Sequence, residues 1–151
     1  MIYLSLKFVH ILAVIVWLGG LVCVGIVNLR LARTTERSLQ AALASQNEFL
    51  GARVIAPAAG LTLLAGLAIV VVGHLGLPLW VIWGLGALVL SMLLGATLLR
   101  RATVELRERL ASDSASDREV ASVQRRLAML HGVNLAVLVS AMWAMVFKPM
   151  L

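Results

Sequence analysis

The sequence predicts an all-α integral membrane protein, an antiparallel four-helix bundle with both termini on the outer side. Three observations carry that prediction. The chain is 62% hydrophobic and only 13% charged, whereas about a quarter of the residues of a soluble domain are charged. Four runs, near residues 4–29, 54–73, 77–99 and 127–147, each supply the roughly 20 apolar residues that cross a bilayer core. Eleven of the thirteen Lys and Arg residues, and all seven Asp and Glu residues, fall within 30–53 and 100–126. Backbone polar groups in hydrocarbon must pair internally, so runs of this length are expected to be helical.

The first run carries His10, then Trp17 about two turns on, then Gly19 and Gly20. His10 and Trp17 therefore share a helix face. The second run contains Pro57 near its start, where a kink rather than an end is expected. It meets the third through GHLGLP (73–78), a short uncharged link whose glycines suit a helix end and whose Pro78 suits a helix start. The other two links are long and rich in arginine. The positive-inside rule places them in the cytoplasm, which makes the protein a multi-pass protein of the plasma (inner) membrane with both termini outside. Trp80, Trp83, Trp143 and Phe147 then form an outer aromatic belt.

The cytoplasmic links are expected to extend the helices. Glu105 precedes Arg109 by one turn, a favourable helical pairing. Residues 113–117 read as a turn, and Ser116 with Glu119 fits a capping box that starts the fourth helix near Asp117. Residues 38–47 extend the second helix in the same way. Small residues recur at helical spacing in three spans: Ala52, Ala56 and Gly60; Ala87, Ser91 and Gly95; Ala136, Ser140 and Ala144. Such spacing lets helices approach closely in lipid. The whole chain, 1–151, is read as one domain.

The net charge of +6 and pI near 11.1 do not point to nucleic acid, because the basic residues are confined to alternate links. The lipid bilayer is the expected partner, with a further membrane protein or a second copy as candidates. A basic patch for anionic lipid is the alternative to simply solvated arginines. Cys23 is the single cysteine and is expected to be a small apolar packing residue. The N-terminal run is too long for a signal peptide and is expected to stay as a helix. Walker, dinucleotide-binding, CxxC, HExxH and nucleophile-elbow patterns are lacking. The four spans hold no acidic residue, which argues against a carboxylate pathway through the membrane.

Histidine and methionine carry the remaining chemistry. Intramembrane ionisable residues are functional candidates by default. His10 is placed in the outer half, His74 in the outer turn, and His131 near the cytoplasmic end of the fourth span. About 15 Å of depth then separates His10 from His131, too far to share one haem iron. His10 and His74 are nearer in depth and are candidates to share a haem or a metal. For His131 an interhelical polar cluster with Asn134 and Asn28 is the competing reading. Trp17 is a candidate to stack on a porphyrin, with packing as the alternative. Met142, Met145 and Met150 lie in the outer half, and thioethers suit Cu(I) or a haem axial position.

The stretch LKFVHILAVIVWLGGL resembles the first helix of CopD-like membrane proteins, which include the copper-resistance D domain and the HemJ-type protoporphyrinogen oxidases. Lys7, His10, Trp17 and Gly19 or Gly20 carry that likeness. RVIAPAAGLTLLAGL (53–67) is similar to the Arg, Pro and Gly pattern of the HemJ-type second helix, and Lys148-Pro149 to the closing residues. The resemblance implies that His10 ligates haem b, with His74 or a methionine as a possible second ligand. The resulting cofactor set is His10, Trp17, His74 and His131, in an electron-transfer or redox-support protein. Copper handling through His10, His74, Met142, Met145 and Met150 is the second expectation, since CopD domains are linked to copper entry. A structural subunit of a larger membrane complex is the third expectation. HemJ-type third helices carry a lysine and a histidine that 77–99 lacks, and LHGVNLAV (130–137) lacks the family's glutamate and proline. The likeness thus bears on haem more than on protoporphyrinogen oxidation.

Overall fold

The structure, a computed structural model, describes residues 1–112 and 115–148. Four helices are each long and apolar enough to cross a membrane: α1 (Ile2–Arg33), α2 (Arg37–Val72), α3 (Leu79–Ala111) and α4 (Asp117–Phe147). Among the described residues there are no strands. Each helix packs against two antiparallel neighbours, α1 on α2 and α4, and α3 on α2 and α4. The expected all-α antiparallel four-helix bundle is what the chain forms.

All four helices outrun their apolar spans at the arginine-rich end. The long links of the sequence reduce to short turns because their residues join the helices. Ser116 caps α4 by accepting from the Glu119 backbone, and Glu119 reciprocates to the Ser116 N–H. Glu105 pairs with Arg109 at 3.2 Å, as the spacing predicts. Residues 38–47 lie within α2. Arg37 closes this end by donating to the Ser112 and Ala115 carbonyls at 3.2 and 2.6 Å. Residues 113 and 114 of the expected turn lie outside the described residues.

Two packed layers hold the bundle. At the arginine-rich end Leu31, Ala44, Ala102, Leu106, Val120 and Leu127 belong to an ordinary hydrophobic core. Midway along the spans, Trp17 and Leu21 of α1 meet Ala58 and Ala59 of α2, Leu88 of α3 and Leu138 of α4. Outward-facing side chains there are also apolar, among them Ile15, Leu64, Leu93 and Val133. A surface as apolar as the core fits hydrocarbon as solvent.

Two of the helices contain a π-turn, Gly51–Ile55 in α2 and Gly95–Leu99 in α3. The first immediately precedes Pro57. Proline has no N–H for the Arg53 carbonyl and its ring crowds that carbonyl. The wider turn absorbs the conflict, and the helix continues as expected. In the second, the Thr97 hydroxyl donates to the Leu93 carbonyl at 2.6 Å and competes with the backbone ladder.

The small-residue stripes are met unequally. Ala87 and Ser91 are buried, as expected. Ala52 and Ala56 are exposed, and a Cβ on Gly60 would meet nothing within 4 Å. The buried face of α2 is instead Ala58, Ala59, Thr62 and Ala65. Ala56 and Gly60 each lie two residues from Ala58, which at about 100° per residue turns them to the far side. On α4, Ala136 is exposed while Ala141 and Ala144 are buried.

Both termini and the 73–78 turn share the opposite end. There the helix end at Gly73 is followed by His74 at φ 48° and Gly76 at φ 68°. Gly73 sits against Tyr3, where a Cβ would come within 2.7 Å of the ring. Trp143 and Phe147 stack with centroids 5.3 Å apart, and the Lys148 ammonium lies 5.5 Å from the Trp80 ring centroid. The expected aromatic belt residues thus gather at one end.

Candidate functional site: two histidines on interhelical carbonyls

His10 projects from α1 onto α2. Its Nδ1 lies 3.0 Å from the backbone carbonyl oxygen of Thr62. A carbonyl only accepts, so Nδ1 carries the proton. In the neutral ring Nε2 then holds the lone pair. One turn beyond Thr62 is Gly66, and a Cβ there would come within 3.1 Å of His10 Cε1. Gly66 is therefore the space that the imidazole occupies. Ala13 and Ala65, about one turn from His10 and from Thr62 along their helices, are both buried. The Thr62 hydroxyl is satisfied within its own helix by the Ala58 carbonyl at 2.8 Å.

The same arrangement recurs between α4 and α1. His131 Nε2 lies 2.7 Å from the carbonyl oxygen of Leu21. One turn on is Gly25, whose added Cβ would touch His131 Cδ2 at 3.4 Å. The two rings differ in the nitrogen used. His10 keeps Nε2 free, and His131 keeps Nδ1, the nitrogen nearer its own backbone.

The remaining candidates are distributed rather than gathered. Leu21 marks the depth of His131, about 16 Å along α1 from His10, so the two do not share an iron. His10 is level with Gly66, whereas His74 follows the end of α2 at Val72, at least about 9 Å further along. His74 is exposed in the turn. His10 is docked on Thr62 of α2, and His74 follows the end of that helix. Trp17 is 4% exposed and fills the mid-span core, which is the packing alternative. Met145 packs on Gly84, and Met142 faces outward. Met150 and Pro149 lie outside the described residues. Cys23 is exposed on the apolar face of α1 rather than buried. Among the described residues no three His, Cys, Asp or Glu side chains converge as a metal site would require.

Asn28 does not join His131. It accepts from Asn47 Nδ2 of α2 at 2.7 Å. Asn134 is 2% exposed, and its Oδ1 has no hydrogen-bond partner. Sequence reasoning missed the Thr62–Gly66 and Leu21–Gly25 docking sites. The signal was a glycine inside a helical span with a carbonyl one turn before it, but only the packing of two helices selects which glycine is used.

Residues 4–149 match a family model described as a predicted integral membrane protein (DUF2269). The chain belongs to that family. The match covers all four spans, and with them His10, Thr62, Gly66 and His131. No curated protein and no solved structure matches the chain.

Proposed function

We propose that this family member resides in the plasma (inner) membrane with both termini outside, and binds haem b through Nε2 of His10. Its role is electron transfer or redox support of a membrane partner. The supporting observation is the Nδ1–Thr62 contact. A histidine that ligates a metal commonly donates its other ring N–H to a carbonyl, which fixes the tautomer and the ring plane. His10 has that arrangement in an apolar setting, on a helix that resembles the first helix of CopD-like proteins. When bound, haem would supply one-electron chemistry, and the apolar bundle would tune its potential. Of the described histidines, His10 is the one whose docked ring would hold it, with Nε2 as the ligating atom. The arginine-rich end supports the orientation by the positive-inside rule. The visible absorption spectrum of protein purified from haem-replete cells tests the reading.

A second reading is favoured by His131. His131 is docked by the same carbonyl-and-glycine arrangement, Nε2 on the Leu21 carbonyl beside Gly25, so both histidines would be interhelical staples in a structural membrane subunit. This reading predicts a colourless protein that co-purifies with partners.

A further inference from the structure

Four of the eleven arginines of this chain are held in ion pairs among the described residues. Arg37, Arg107, Arg109 and Arg126 pair with Asp117, Glu48, Glu105 and Glu119, all on the polar helical extensions. Arg100 and Arg101, like Arg30, Arg33, Arg53, Arg118 and Arg125, are exposed and make no ion pair among the described residues; what sets them apart is that they are adjacent and line one groove. They directly follow the third apolar span, at the depth where a bilayer gives way to water. Beneath them is the Gly95–Leu99 π-turn, and π-turns are frequent at functional sites.

A groove runs along α3 at this place, lined by Ala96, Thr97, Arg100, Arg101 and Val104. Its lining is apolar at Ala96 and Val104 and positively charged at Arg100 and Arg101. Glu105 also borders it, but that carboxylate is engaged by both Arg109 and Arg126 at 3.2 and 3.6 Å. Glu108 lies at the far end, about 12 Å along the helix from Arg100. The groove is thus positive where it meets the membrane and negative where it leaves it. An anion is drawn to the membrane end.

The geometry points to a binding site for the phosphate headgroup of an anionic membrane lipid. Arg100 and Arg101 grip the phosphate as paired fork-shaped donors, and Ala96 and Val104 carry the adjoining glycerol and upper acyl chain. The lipid fits better than a soluble phosphate compound because the groove opens at the boundary of the apolar span, where the headgroups lie. The assignment is independent of any role for His10.

Native mass spectrometry of the full chain in neutral detergent tests this. Phosphatidylglycerol and phosphatidylcholine are added at equal concentration, and retained lipid is counted. The wild type is expected to retain phosphatidylglycerol preferentially, and Arg100→Gln/Arg101→Gln to lower that preference about tenfold. Arg107→Gln/Arg118→Gln, which removes the same charge from the polar extension, is expected to keep it. Arg100→Lys/Arg101→Lys, which preserves charge and guards against misfolding of the glutamine variant, is expected to keep most of it. Equal retention of both lipids by the wild type would overturn the proposal. So would an equal loss in the Arg107/Arg118 variant, or displacement of the lipid by inorganic phosphate at matched concentration.

Discussion

The Nδ1 atom of His10 and the carbonyl oxygen of Thr62 are 3.0 Å apart across the α1–α2 interface. That one contact decides three things: which ring nitrogen is protonated, how the imidazole plane lies, and why residue 66 is glycine. The Thr62 carbonyl keeps a lone pair for His10 beside its helical bond, and the glycine lets the ring reach it.

Gly66→Ala is therefore expected to destabilise the bundle, because its Cβ would meet His10 Cε1 at 3.1 Å. The ring is tethered at Nδ1, so it yields only by straining that bond. Overpacking of this kind costs about 1–3 kcal/mol. Gly60→Ala is the control, with open space around the added methyl. It gains up to about 1 kcal/mol from helix propensity. Thermal unfolding in detergent, followed by circular dichroism, should move in opposite directions for the two variants.

Trp17→Ala should be among the most damaging changes in the spans. The indole is 4% exposed and joins all four helices through Leu88, Leu138, Ala58 and Ala59. Small alanines opposite it cannot collapse into the space, so a loss of about 3–5 kcal/mol is expected. Met142→Ala, on the outward face, should leave the same melting curve almost unchanged.

His131→Leu keeps roughly the buried volume and removes the bond to the Leu21 carbonyl. That carbonyl retains its own helical bond, so the expected cost is only about 1 kcal/mol. A melting temperature unchanged by the substitution would remove His131 as a staple between α4 and α1.

The start of α4 should respond to acid. It lies on the polar extension, before the apolar span at 127–147. The Ser116 backbone N–H and then its hydroxyl hold the Glu119 carboxyl below its usual range, with Arg109 adding to the effect. Because the folded value is depressed, the cap's contribution is present above the ordinary carboxylate pKa of 4.5. It is lost as pH falls through the lower folded value. Hydrogen-exchange protection at Glu119 and Val120, taken relative to the intrinsic rate at each pH, should fall on acidification in the wild type. Ser116→Ala should show that reduced protection already at neutral pH.

Much of this architecture was legible from composition and spacing. Four apolar runs give four helices because lipid leaves the backbone no other way to satisfy its hydrogen bonds. The Ser116–Glu119 cap and the Glu105–Arg109 pair are local, so sequence distance alone specifies them. The stripe of Ala52, Ala56 and Gly60 misled because regular spacing names a face without saying which way it turns. Thr62 as the partner of His10 was not legible, since a backbone carbonyl leaves no mark in the sequence.

The visible absorption spectrum of purified wild type, His10→Ala and His131→Ala tests the central claim most directly, with each protein produced in haem-replete cells and confirmed helical. The account predicts a Soret band in the wild type and in His131→Ala, and its loss in His10→Ala. A wild type without the band, or a band of equal strength in His10→Ala, would contradict it.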